Sequence, residues 1–252
     1  MLTQFLWWGG IVLETFLLVR CAKGKFYREY PGFFSYIAVV LLASVVRYSV
    51  RQNPSTYALV YWYSQVVSLI AGYVVIVEIY RRALKDYPGA ARMAQTLLVG
   101  ILVLIVSKAV FDSAGSTGWS IARTCEELER DLRAVQATVL IAILGLLAYY
   151  RIPLGRNLKG ILLGFGIFIG VSVTILTLRF SFGDRLRLVY QYLPPFTYFA
   201  VLIIWCAALW SYHANPVPET KPELEQDYRS LAVGTRRLLG HARTHLTRAV
   251  RS

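Results

Sequence analysis

Charge is scarce in this chain of 252 residues. Only 16% are Asp, Glu, Lys or Arg, whereas about a quarter of a soluble domain is charged. Acidic residues are scarcer still, 14 against 27 basic. Cysteine is nearly absent: Cys21, Cys125 and Cys206 lie far apart with no CxxC or Cys/His spacing, so neither a disulfide framework nor a zinc site is indicated. His241 and His245 are four apart, as two metal ligands can be, but no third ligand is near and they read as solvated. The chain has no HExxH and no glycine-rich phosphate loop, and its five Asp residues fall in loops or at helix ends. It therefore reads as non-enzymatic, with no cofactor and no metal. No basic residue precedes Arg20, so the first apolar run lacks the n-region of a signal peptide and reads as a retained helix.

What is present is apolar surface: 56% hydrophobic residues and a mean hydropathy of +0.50. Such a composition belongs to an integral membrane protein. The stretch Ala58 to Tyr80 shows it best, holding one ionisable group, Glu78, before Arg81 and Arg82 close it. At a rise of 1.5 Å per residue, ~20 apolar residues cross a ~30 Å hydrocarbon core. Ser64, Ser68, Ala71, Val75 and Glu78 recur at steps of three and four, so one face of this helix is small and polar and is expected to meet protein. Six further runs share the character: Leu2 to Val19, Phe33 to Val50, Met93 to Phe111, Ala134 to Tyr150, Leu158 to Leu178 and Leu188 to Trp210. Tyr30-Pro31-Gly32, Asn53-Pro54 and Tyr87-Pro88-Gly89 punctuate them. Asp112 to Arg133, with Glu126, Glu127, Glu129 and Asp131, breaks the hydropathy and is expected to be a loop with a short surface helix. The fold class is all-α, a seven-helix transmembrane bundle over residues 1–212, followed by a cytoplasmic segment over 213–252.

Basic residues set the orientation. Eighteen lie in alternate connections and the tail, from Arg20, Lys23, Lys25 and Arg28 through Arg81, Arg82, Lys85 and Arg92 to Arg151, Arg156 and Lys159 and seven tail residues. Nine lie on the other side. The expectation is N-out and C-in in a plasma (inner) membrane. The net charge of +13 is then accounted for by orientation and by anionic lipid headgroups, not by nucleic acid.

Polar side chains within the runs are the candidates for function, because such groups in a bilayer face the bundle or a cavity. Arg47, Gln65, Lys108, Gln136, Thr174, Tyr190 and Gln191 fall toward the outer ends of their helices, beside Asp112, Thr177 and Arg179. Two readings stand. They converge on an outward-facing, net-positive pocket for a small anionic ligand, or Arg47 and Lys108 reach headgroups or pair with Asp112. Glu14, about 18 Å down the first helix by rise per residue, is too deep for water and is expected to be protonated or paired, with Tyr73, Tyr149, Tyr150 or Trp205 as partner, or Arg20 or Lys159 bent inward. Glu78 is expected to pair with Arg81 or Arg82. Gly160, Gly164, Gly166 and Gly170 form two pairs at four-residue spacing, which permit close helix packing within the molecule. Pro194-Pro195 is expected to kink the last helix and open space.

The number and orientation of these helices resemble the seven-helix membrane sensor modules that precede bacterial histidine kinases, over roughly residues 1 to 212. The resemblance implies a sensing role. The tail departs from that plan, since forty residues cannot hold a kinase. Pro216, Pro218 and Pro222 make a linker, and Leu231, Leu238, Leu239, Ala242, Leu246, Ala249 and Val250 alternate with arginines as in a basic amphipathic helix. Such a helix lies on anionic lipid or docks in a protein groove, which makes 230–252 the expected contact for a cytoplasmic partner. A sensor or scaffold follows as the first functional reading, and a small secondary transporter with its site among the outer polar residues as the alternative.

Overall fold

The computed structural model describes residues 2–24, 26–85, 88–115, 121–149, 154–182 and 187–213. Among them every regular element is a helix: α1 (Leu2–Lys23), α2 (Phe26–Glu29), α3 (Pro31–Ser49), α4 (Pro54–Ala83), α5 (Pro88–Gly115), α6 (Ile121–Tyr149), α7 (Arg156–Phe182) and α8 (Arg187–Ala208). The tail helix and linker expected after His213 lie outside the described residues, as do the side chains of Asp112 and Arg179.

Six helices, α1, α3, α4, α6, α7 and α8, are long and apolar enough to cross a membrane, while α5 has a shorter described apolar stretch, Leu98–Lys108. Their outward faces carry large apolar side chains such as Leu42, Leu104 and Ile141, the last two each 70% exposed. In water this would be an aggregation surface; against lipid it is the ordinary exterior of a multi-pass protein.

Local sequence explains the helix starts. Pro31 opens α3 and Pro54 opens α4, where a missing N–H costs nothing, and Asn53 caps α4 by accepting from the Thr56 N–H at 3.3 Å. The start of α3 is capped from outside itself: Glu78 of α4 accepts from the Gly32 N–H at 3.1 Å and the Phe33 N–H at 2.9 Å. This replaces the expected pairing of Glu78 with its own neighbours. Arg82 instead pairs with Glu29 at 2.9 Å.

The six apolar helices close a ring, α1 on α3, α3 on α4, α4 on α6, α6 on α7, α7 on α8 and α8 back on α1. Helix α5 packs outside the ring on α4 and α6. Directions follow from the cross-links. Gln65 and Leu69 of α4 meet Glu129 and Gln136 of α6 in the same order along both chains, so these helices are parallel and α5 returns between them. Arg20 near the end of α1 donates to the Trp210 carbonyl just past α8, so α1 and α8 are parallel too. Asn157, fully buried, holds the same end by donating to the Ala208 and Ser211 carbonyls at 2.8 and 2.9 Å and accepting from the His213 N–H at 2.7 Å.

Two glycines let α7 approach α8. A Cβ at Gly160 would strike Ala208, and one at Gly164 would strike the Trp205 indole, whereas Gly166 and Gly170 meet open space. Intramolecular packing thus accounts for the first two only. Trp205 is fully buried among Phe33, Tyr36 and Phe165, with ring centroids 5.1 to 6.1 Å away, and this aromatic block plugs the ring on the side where α1 and α8 end.

The polar stretch before Ala134 is not a loop along its whole length. Helix α6 begins at Ile121 and runs unbroken through Glu129, Asp131 and Arg133. Glu and Arg are strong helix formers, and hydropathy marks where a helix becomes apolar, not where it starts.

Candidate functional site

A cavity of about 390 Å³ lies inside the ring, and all six ring helices line it. It touches Leu6, Trp7 and Glu14 of α1, Tyr36, Ser44 and Arg47 of α3, Tyr57, Gln65 and Gly72 of α4, Arg133 and Gln136 of α6, Phe165 and Phe168 of α7, and Pro194, Pro195, Tyr198 and Phe199 of α8. It reaches toward the start of α1 and α4 at Trp7 and Tyr57 and ends above the aromatic block at Phe165. The proline pair sits on this wall while α8 stays helical through it.

Arg47 is turned inward by α4. Its Nε donates to Ser64 Oγ at 2.8 Å, its Nη2 to the Tyr61 carbonyl and to Gln65 Oε1 at 3.4 Å each, and its guanidinium lies 4.7 Å from the Tyr61 ring centre. All of these partners are neutral. Among the described residues no carboxylate is within ion-pair distance of Arg47. Arg133 is the second cation, 9% exposed, 4.7 Å from the Phe168 ring centre and 3.6 Å from Glu129 one turn earlier. Gln65 bridges the two by accepting from Arg47 and donating to Glu129 Oε1 at 3.0 Å. Gln136 donates to the Leu69 carbonyl at 3.4 Å.

Glu14 belongs to the same cavity. It is 2% exposed, and its Oε1 accepts from the Tyr198 hydroxyl at 2.9 Å. This partner was not among those expected, of which Tyr150 lies outside the described residues. Tyr73 donates to the Leu98 carbonyl, Trp205 to the Ile161 carbonyl and Arg20 to the Trp210 carbonyl.

The other expected site residues stand apart. Lys108 is on α5, outside the ring, and pairs with Asp131 at 3.1 Å. Thr174 is exposed and donates to the Gly170 carbonyl of its own helix. Tyr190 and Gln191 precede the α8 prolines and do not line the cavity; Gln191 is exposed. Lys108 is excluded because its whole helix lies outside the ring, whereas Thr174 and Gln191 sit on ring helices but on exposed faces. Arg47, Gln65 and Gln136 are brought together, with Glu14, Arg133 and Tyr198 added.

Arg133 was legible in principle. Glu129, Leu132, Gln136, Leu140, Ile143 and Leu147 recur at three- and four-residue steps, and all but Glu129 are buried, so one face runs through the polar stretch into the apolar one. Tyr198 carried no such signal, because its pairing with Glu14 spans 184 residues.

Comparison with protein-family models, curated proteins and solved structures gives no match for this chain.

Proposed function

We propose that this chain is a seven-crossing membrane protein of the receptor or scaffold class, N-out and C-in in a plasma (inner) membrane, whose ring cavity binds a small anionic ligand. The seventh crossing is α5, supported by the parallel run of α4 and α6, which requires a return between them. On this reading, residues 230–252 engage a cytoplasmic protein or anionic headgroups, as a bacterial sensor module requires of its output end.

The observation that carries the anionic ligand is Arg47: a cation on the wall of the ring cavity whose described hydrogen-bond partners are all neutral. A half-buried cation that no carboxylate contacts directly is incompletely compensated, and an anion arriving from solution supplies the missing partner. Gln65 and Ser64 hold the guanidinium in place beforehand, which lowers the ordering cost of binding.

The test is calorimetric titration of the full chain in neutral-lipid nanodiscs with small carboxylates and phosphates. Saturable binding that Arg47→Gln weakens by about tenfold or more supports the reading; anion binding indifferent to Arg47 sinks it.

A small secondary transporter remains the second reading. It is favoured by Pro194 and Pro195 on the cavity wall, where missing backbone N–H groups weaken α8 and ease a rocking motion. Counter-flow of the bound anion into proteoliposomes separates the two, since a receptor shows none.

A further inference from the structure

Three residues on the cavity wall keep a buried polar atom without a partner among the described residues: Glu14 Oε2, Gln136 Oε1 and Arg133 Nε. They are 2%, 1% and 9% exposed. Their demands have opposite sense. Gln136 has committed its amide nitrogen to the Leu69 carbonyl, so its oxygen awaits a donor, as the free oxygen of the Glu14 carboxylate does. The Arg133 Nε–H awaits an acceptor. Glu14 and Arg47 lie within each other's electrostatic reach, yet no ion pair joins them.

Opposite charges held apart on one cavity wall match a molecule that carries both. Tyr36, Phe165, Phe168 and Phe199 make much of the remaining wall aromatic, which suits an apolar body.

We propose that the ligand is amphoteric: a carboxylate directed to Arg47 and Arg133 and an ammonium directed to Glu14 and Gln136, on an aromatic-sized apolar body, as in an α-amino acid with a large apolar side chain. This rests on the reading of the cavity as an anion site and narrows it.

Four probes dissect the claim in the full chain reconstituted in phosphatidylcholine nanodiscs. They are L-phenylalanine, 3-phenylpropionate without the amine, 2-phenylethylamine without the carboxylate, and glycine without the body. Phenylalanine is expected to bind about tenfold tighter than any of the others. In Glu14→Gln, phenylalanine and 3-phenylpropionate are expected to converge to within about threefold. The comparison on native protein stands even where that variant fails to fold. Equal affinities of phenylalanine and 3-phenylpropionate in the native protein, both lost in Arg47→Gln, overturn the amphoteric ligand and leave the anion site intact. Tightest binding by 2-phenylethylamine, or binding by none of the four, overturns both.

Discussion

The Tyr198 hydroxyl donates to Glu14 Oε1 at 2.9 Å and so ties α8 to α1 at the edge of the cavity both helices line. Ser44 of α3 lines the same cavity beside this carboxyl, whose Oε2 makes no hydrogen bond of good geometry among the described residues. Tyr198→Phe removes the donor while keeping the ring, and is expected to cost about 1–3 kcal/mol by leaving the carboxyl unpaired. A fall of the unfolding midpoint by several degrees, about 2–4 °C per kcal/mol for a chain of this size, is the readout. Glu14→Gln is expected to cost less, because its amide oxygen accepts the same bond. A midpoint unchanged by Tyr198→Phe would mean that the bond contributes nothing.

The start of α3 depends on α4 in a similar way. Glu78→Ala removes the acceptor of two backbone N–H groups and a negative charge at a helix N-terminus, a loss of about 1–2 kcal/mol. Faster hydrogen exchange confined to residues 32–36 is the expected signature. Gly32→Ala is expected to act alike, since a Cβ there would sit 2.9 Å from Glu78 Oε2. Uniform exchange across α3 in both variants would contradict the cap.

Four glycines of α7 divide into two classes. Gly160→Ala and Gly164→Ala push against Ala208 and the Trp205 ring, and overpacking of this kind costs about 1–3 kcal/mol. Gly166→Ala and Gly170→Ala meet no atom and are expected to be neutral or to stabilise by up to about 1 kcal/mol through helix propensity. Thermal unfolding of the four single variants in one membrane mimetic tests the split. Four equal effects would show that α7 and α8 do not meet at Gly160 and Gly164.

Lys108 supplies a control for the cavity. It lies on α5 outside the ring and is 62% exposed, with Asp131 as its partner. Lys108→Gln is expected to leave the affinity for an aromatic carboxylate within about twofold, in contrast to Arg47→Gln. Equal losses in the two variants would place the anion near α5 and not inside the ring.

Topology is tested by reporters. A fusion after Ser252 is expected in the cytoplasm and an insertion near Gly118 outside, as the distribution of Lys and Arg requires. Both reporters on one side would remove α5 from the count of crossings.

Composition and hydropathy by themselves determined that this chain is helical and built for a bilayer, and they located every long helix to within a few residues, apart from the start of α6. The reason is that lipid offers backbone groups no hydrogen-bond partner, so any long apolar run in it must close its hydrogen bonds within itself. Depth along each helix was legible as well, which is how Arg47, Gln65 and Gln136 were recognised together. Which way each helix faces was not. Rotation about the axis is set by contacts between helices far apart in sequence, such as Gly164 on Trp205 and Gln65 on Glu129. Those contacts turned Thr174 and Gln191 away from the cavity and Glu14, Arg133 and Tyr198 into it, while Lys108 was lost with α5, which packs outside the ring. The cavity is a property of the closed ring, because six helices each contribute to its wall and no single stretch of sequence contains it.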